Sequence, residues 1–443
     1  MGEEKVTTLL LRREPFGGIL FSPDDAVHVD LDHGAFTFIR EHIENGRLAA
    51  TQEELDVLDQ VIAELDGSVR VADRTLRVVD YQRDVRAFPF QVLNAPTLVD
   101  FQITTECPLE CPHCYASSSA NGVSVDIADI ERVFRDLRHN GVTQVAIGGG
   151  EPLVHPHFVE ILELSSAYGL VPNLTTNGVH LGPIELDAIE RYCGAAALSL
   201  EGVGDAFGRT RKTGFEFFRQ RLGEMIDHGI ATVLQVTLSQ QSFSELDAIV
   251  DFCAGESRLY GVIFLAYKEV GRGRGFDRTL ASLPAEHVHE KLRAAFLRLS
   301  QTTRVGYDCC LTPAMVGFAS ELGFSSDNQL EGCSGMRSSL GIGVNLDVVP
   351  CTFLPQTTVG SLRESSLFDI WRSEAANTFR ERMAAHGERQ GCRSCDSRAS
   401  CLGGCPAFDL VRCTNHVAFE HLVPRFSGFD RLKWCQWRDV SQG

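Results

Sequence analysis

Cys107, Cys111 and Cys114 stand as C-x3-C-x2-C, with His113 before the third cysteine and Tyr115 after it. Three thiolates so close in sequence can converge on one metal centre. A four-iron cubane takes one sulfur per iron, so three protein ligands leave one iron open to a small molecule. Zinc would want a fourth protein ligand in a structural site, or three ligands of other spacing in a catalytic one. A second set of cysteines lies downstream. Cys392, Cys395, Cys401 and Cys405 run as C-x2-C-x5-C-x3-C, with Cys309, Cys310, Cys333 and Cys351 before them and Cys413 and Cys435 after. A zinc domain of the treble-clef kind would use four of these and leave a surplus. Cys193 and Cys253 are isolated in apolar surroundings and are expected to pack in the core.

The first motif resembles the signature of the radical S-adenosylmethionine (SAM) superfamily. That resemblance implies a [4Fe-4S] cluster whose open iron is chelated by the amine and carboxylate of SAM. One electron then cleaves the sulfonium and releases a 5'-deoxyadenosyl radical. Gly148-Gly149-Gly150-Glu151-Pro152 is similar to the family's G-G-E-P motif. Its glycines would let the backbone approach SAM, and Glu151 would accept hydrogen bonds from the ammonium. Thr175-Thr176-Asn177-Gly178 is expected at the ribose or methionine part of SAM. Ser199-Leu200-Glu201-Gly202 stands where relatives usually carry Ser-Leu-Asp-Gly, so Glu201 is one methylene longer than the family's acid. Arg209 and Arg211 are candidates for pairing with the SAM carboxylate.

These motifs need a scaffold that brings loops to one end of a sheet. Thr97–Thr105 reads as a strand delivering the cysteine loop. Helix 127–139, strand 144–147, helix 158–168, strand 171–175, helix 184–192 and strand 196–200 follow. Helix 215–228, strand 232–238, helix 244–253 and strand 259–266 complete six strand–helix units, for which parallel pairing is the expected solution. Functional loops collect at the strand ends of such folds. The expected fold class is α/β, with a partial (β/α)6 radical SAM barrel over 96–300.

The downstream cysteines resemble the SPASM extension, a carrier of two auxiliary iron–sulfur clusters, here over 305–440. Gly343 and Val344–Cys351 are similar to the hairpin that frames the first of them. In relatives the ligands interleave, which places Cys333, Cys351 and Cys405 in one cluster with Cys310 (or Cys309) as a fourth ligand. Cys392, Cys395 and Cys401 fall in the other, closed by Cys413 or Cys435.

Residues 5–90 read as a separate α+β module. Short strands at 7–13, 18–21 and 26–31 precede helices at 34–44 and 51–65, the second capped by Thr51, with Leu55, Leu58, Val61, Ile62 and Leu65 on one face. Pro15-Phe-Gly-Gly-Ile-Leu-Phe21 and Leu31-Asp-His-Gly-Ala35 resemble the winged-helix recognition element that captures the leader of a ribosomally made precursor peptide. An edge strand there could take an extended peptide by β-augmentation. The alternative is a structural N-terminal extension.

The formal net charge of −18 argues against nucleic acid or an anionic membrane as a partner. No run is long and apolar enough to span a bilayer, and the start lacks a signal-peptide pattern, so a cytoplasmic setting with unpaired cysteines is expected. These readings predict a SPASM-type radical SAM enzyme that modifies a leader-bearing precursor peptide by a thioether, ether or carbon–carbon crosslink. A flavodoxin or ferredoxin is expected as electron donor. Peptide epimerisation, a non-peptide substrate and an iron–sulfur electron-transfer or scaffold protein are the alternatives.

Overall fold

A computed structural model describes residues 8–24, 26–66, 69–71, 74–318, 321, 331–389, 391–413 and 435–436. Two sheets organise them. The first holds β1 (Thr8–Glu14), β2 (Gly17–Ser22), β3 (Val27–Asp32), β4 (Ile43–Glu44), β5 (Arg47–Leu48) and β6 (Thr75–Val79), in the order β3-β2-β1-β6-β5-β4. Helix α1 (His33–Glu41) starts where Asp32 accepts a hydrogen bond from Ala35 N. Helix α2 (Gln52–Asp66) starts at a reciprocal cap, with Thr51 N donating to Glu54 Oε2 (2.9 Å) and Glu54 N to Thr51 Oγ1 (3.3 Å).

The expected face of α2 is partly corrected. Leu58 and Ile62 are buried and Leu55 is half-buried, whereas Val61 is 46% exposed and shares the open face with Val57. A one-residue step turns Val61 away from Ile62 by about a quarter turn, which carries it off the buried stripe. The Leu65 side chain lies outside the described residues. The hairpin β4–β5 and the five-residue strand β6 were not anticipated; two-residue strands such as β4 and β5 carry no periodicity to detect.

The second sheet begins with β7 (Leu98–Thr104), β8 (Gln144–Gly149), β9 (Val171–Thr176), β10 (Ala195–Leu200), β11 (Thr232–Leu238) and β12 (Gly261–Ala266), the six expected strands, all parallel. Two more parallel strands extend the run: β13 (Arg304–Asp308) beside β12, and β14 (Ser339–Ile342) beside β7. Antiparallel β15 (Asp347–Val349) and β16 (Gly360–Ser361) continue from β14, and β17 (Cys435–Gln436) pairs with β13. The cysteine-rich segment therefore grows out of both edges of the catalytic sheet.

Helices α3 (Ile127–His139), α4 (Phe158–Ala167), α5 (Pro183–Tyr192), α6 (Asp205–Thr210) and α7 (Phe215–Asp227) intervene between strands. The helix expected over 244–253 is two, α8 (Gln240–Ser244) and α9 (Leu246–Gly255). Ser239 caps the first through Ser242 N, and Glu245 ends it.

The N-terminal unit has its own apolar core, built on Leu9, Leu11, Leu20, Val29, Leu31, Phe36 and Ile39. It is joined to the barrel by polar contacts. Arg12 is fully buried, pairs with Glu14 at 2.7 Å, and donates to Pro96 O (3.0 Å) and Gly141 O (2.7 Å). Glu14 also accepts from Asn94 N at 2.6 Å, and Tyr81 OH donates to Asn140 O at 2.6 Å. Removing one partner of a buried ion pair typically costs about 3–5 kcal/mol, because the other charge is left uncompensated. Arg12→Ala should therefore lower stability by about that amount in chemical denaturation, and the Gly141 amide should lose protection in hydrogen exchange. A loss within about 0.5 kcal/mol would show that the apolar core alone seats the unit.

Candidate active site

The loop carrying Cys107, Cys111 and Cys114 leaves the C-terminal end of β7 and folds over the mouth of the sheet. Its backbone is pinned by Cys107 N to Ser119 O (3.0 Å) and Cys114 N to Cys111 O (3.2 Å). The three cysteines line one open cleft with Gly148, Gly149, Gly150, Glu151, Thr176, Asn177, Ser199, Glu201 and Arg211. Residues drawn from four consecutive strand ends thus meet at one place. Among the described residues, no three His, Cys, Asp or Glu side chains close on a position for a single metal ion.

Burial pushes the Cys107 thiol up to about 11 and raises that of Cys111 as well. Such thiols are poor nucleophiles while protonated, and a bound metal would deprotonate them outright. Their chemistry suits ligation.

The glycines of the G-G-E-P motif line the cleft and also pack tightly beneath it. Gly149 has φ +113°, and a Cβ there would lie 2.1 Å from Thr104 O; one on Gly150 would lie 2.0 Å from Glu106 O. They let β8 press against the root of the cysteine loop. Glu151 N then donates to Glu106 O at 2.8 Å. The Glu151 carboxylate is 1% exposed and accepts from Thr176 Oγ1 (2.6 Å) and Asn177 N (2.7 Å). Burial outweighs these bonds and raises its pKa to about 7. A cation placed beside it would return it to the carboxylate.

Glu201 and Arg211 are a buried pair. Arg211 Nε donates to Glu201 Oε2 (2.6 Å) and Nη2 to Oε1 (2.7 Å), a bidentate fork, and His113 Nε2 lies 3.5 Å from Glu201 Oε1. Burial alone would raise the Glu201 carboxyl, but Arg211 and His113 overcome it and hold the group well below the usual carboxylate range. Two expectations for arginine separate here. Arg211 lines the cleft, whereas Arg209 is on the surface, paired with Glu245 at 3.1 Å, because it lies on the outer side of α6.

Several groups at the site carry no motif. Lys268 at the end of β12 is buried, pairs with Asp308, and has its ammonium 5.3 Å from the Phe353 ring. Phe353 stacks on Tyr115 with centroids 3.9 Å apart and planes 7° off parallel, so a residue two past Cys351 forms a wall of the cleft. Gln235 on β11 accepts from Thr175 Oγ1 on β9 at 2.9 Å, across the intervening β10.

Arg272 also escaped the sequence reading. Its side chain donates to Cys111 O (3.2 Å) and Ser118 O (2.6 Å), and its own N–H to Cys114 O (3.0 Å). The signal was the Gly271-Arg272-Gly273 turn after β12. Gly271 has φ +56°, and a Cβ there would meet Tyr115 O at 2.1 Å. Gly271→Ala should therefore displace the Cys111–Tyr115 turn and cut the catalytic iron severely while sparing the downstream cysteines. Iron analysis with EPR of the reduced protein checks this; full iron with an unchanged spectrum would refute the clamp.

The downstream cysteines approach one another in three places. Cys310 Sγ lies 3.5 Å from Cys405 Sγ, with Cys309 hydrogen-bonded to Cys310. Gly335 abuts both Cys333 Sγ and the Pro350 backbone, which draws the Cys333 and Cys351 turns together. In the third place the Cys401 thiol is raised to about 12 by burial, with Cys413 and Cys392 near it, and Cys392 is raised by burial with Cys395 beside it. Cys435 is described through its backbone, opposite Asp308 in β17; the expectation for its thiol lies outside the described residues. Cys193 and Cys253 pack with the main core.

Comparison with known families agrees with both cysteine sets. Residues 101–253 match the radical SAM superfamily, and residues 333–396 match SPASM, an iron–sulfur cluster-binding domain. The chain carries a radical SAM domain and a SPASM domain. The first domain binds SAM and a [4Fe-4S] cluster, and the three cysteines around one cleft are a donor set that fits it. This radical SAM chain is similar to a PqqA peptide cyclase of Ruegeria pomeroyi, 26% identical over 76% of this chain and 89% of the relative. It is also similar to an AdoMet-dependent heme synthase of Methanosarcina barkeri, 23% identical over 70% of this chain and 91% of the relative. In fold it resembles Streptococcus suis SuiB bound to its precursor peptide SuiA, with TM-score 0.68 and 19% identity over 92% of this chain and 98% of that one. No helix among the described residues is long and apolar enough to cross a membrane.

Proposed function

We propose that this chain is a radical SAM enzyme that modifies a ribosomally made precursor peptide, forming a crosslink of the thioether, ether or carbon–carbon kind. When bound, the cluster and SAM supply reductive cleavage of the sulfonium to a 5'-deoxyadenosyl radical. The chain's own residues hold and orient. Cys107, Cys111 and Cys114 would ligate the cluster. Glu151, kept in place by Thr176 and Asn177, presents a buried acceptor to the SAM ammonium, while Ser199 and the Gly148 backbone border the same cleft. Tyr115, Phe353 and Lys268 line the cleft wall next to the SPASM segment, where a substrate would lie. Cys310, Cys333, Cys351 and Cys405 would ligate one auxiliary cluster and Cys392, Cys395, Cys401 and Cys413 the other. A flavodoxin or ferredoxin would deliver the electron.

The observation that carries the peptide is the N-terminal sheet. Its edge strand β3 alternates buried Val29 and Leu31 with exposed His28 and Asp30, and α2 packs against it. That arrangement supports a winged-helix-like recognition unit, with an open strand edge for a leader to extend. The peptide named in the PqqA cyclase and SuiB descriptions supports the same substrate class.

The reduced holoenzyme, incubated with SAM and a precursor encoded beside its gene, should yield 5'-deoxyadenosine and a peptide lighter by two hydrogens. The likeness to a heme synthase favours a tetrapyrrole as second reading. 5'-deoxyadenosine made with a tetrapyrrole consumed and the peptide returned unchanged would decide for it. A protein that forms no 5'-deoxyadenosine with any partner would be an iron–sulfur scaffold.

A further inference from the structure

We propose that Asn177 and Arg211 set the reduction potential of the catalytic cluster by hydrogen bonding two of its three cysteine sulfurs, and that Glu201 limits the effect of Arg211. Asn177 Nδ2 lies 3.6 Å from Cys107 Sγ and Arg211 Nη1 lies 3.8 Å from Cys111 Sγ. Neither orientation is free. Asn177 Oδ1 accepts from Val179 N at 2.9 Å, and its own N–H is spent on Glu151, so the amide can offer only its NH2 edge to the sulfur. Arg211 is fixed by its fork on Glu201, which leaves Nη1 to face Cys111.

Reducing an iron–sulfur cluster adds negative charge that is shared by its sulfur ligands, which strengthens each N–H to sulfur bond. Such donors stabilise the reduced form over the oxidised one and raise the potential. Cys107 and Cys111 are themselves buried, which amplifies the effect at their sulfurs. A bare guanidinium so close to Cys111 would push the potential far upward. The paired carboxylate of Glu201 cancels most of that charge and leaves the local N–H dipole. The inference depends on the superfamily assignment and is independent of the substrate.

Two variants move the potential in opposite directions. Asn177→Asp keeps the oxygen that Val179 N needs but replaces the donor with an anionic oxygen, so the potential should fall. Glu201→Gln keeps the shape but uncovers the Arg211 charge, so the potential should rise. Each holoenzyme is titrated anaerobically with dithionite in the absence of SAM. The reading is taken on the EPR signal that SAM alters, which singles out the cluster with the open iron. At the parent's midpoint the reduced-to-oxidised ratio should change about tenfold in each variant, equal to about 59 mV for one electron.

Iron analysis accompanies each titration, and if one variant fails to hold its cluster, the sign of the other decides. Potentials unchanged in both, shifts of the same sign, or cluster loss from both would overturn the proposal. So would a Glu201→Gln enzyme whose affinity for SAM falls while its SAM-free potential stays put, since Arg211 would then serve the ligand alone.

Discussion

With Cys107, Cys111 and Cys114 all replaced by alanine, the enzyme is expected to release no 5'-deoxyadenosine and to carry about four fewer irons per chain, with its remaining iron intact. The expectation follows from where the thiols sit. All three border the same cleft, and their loop is held by backbone bonds to Ser119 and by Arg272, so the substitutions remove ligands without removing the turn. None of the downstream cysteines lines that cleft. Chromatography of the SAM reaction and iron analysis of the same preparation measure the two halves of the claim. Retained 5'-deoxyadenosine formation would remove the assignment of these cysteines, because a cluster with no protein thiolates here could not hold SAM. Loss of all iron would mean instead that the cysteine-rich segment depends on this loop for its own folding.

What the sequence disclosed and what it withheld divide along physical lines. The parallel strands β7 to β12 were legible because each is a short apolar run followed by an amphipathic helix, and that alternation has few solutions. The cysteine spacing and the strand-end motifs were legible because chemistry fixes residue types at short separations. Phe353 and Lys268 were not, because they reach the cleft through contacts between segments distant in the chain, the stack on Tyr115 and the pair with Asp308. Arg272 was hidden for the same reason. Glu201 showed itself as an unusual acid, but its partner could be found only in space, since Arg211 and Arg209 look alike in a sequence and face opposite ways in the fold. The glycines of the G-G-E-P motif mark a close backbone approach, and its packing onto Thr104 and Glu106 could be seen only in space.

Replacing Cys392 and Cys395 together by alanine is expected to abolish the modified peptide while 5'-deoxyadenosine is still formed. The two halves of the SPASM segment differ in their relation to the cleft. Around Cys351 the segment forms part of its wall: Phe353 stacks on Tyr115, and Thr352 Oγ1 donates to Asp100 Oδ2 at 2.6 Å, so changes there disturb SAM and substrate alike. Cys392 and Cys395 stand on a separate turn, joined by Cys395 N to Cys392 O at 3.0 Å, with Cys401 and Cys413 as neighbours. Losing them should empty the second auxiliary group of its iron and leave β7 to β12 and their loops in place. An electron removed from the substrate would then have no route beyond the first auxiliary cluster, so SAM cleavage would continue uncoupled from product. The measurement is iron and zinc content, 5'-deoxyadenosine and peptide mass on one preparation. Iron unchanged from the parent, with zinc lost in its place, would make this half of the segment a structural zinc site and end its part in the chemistry.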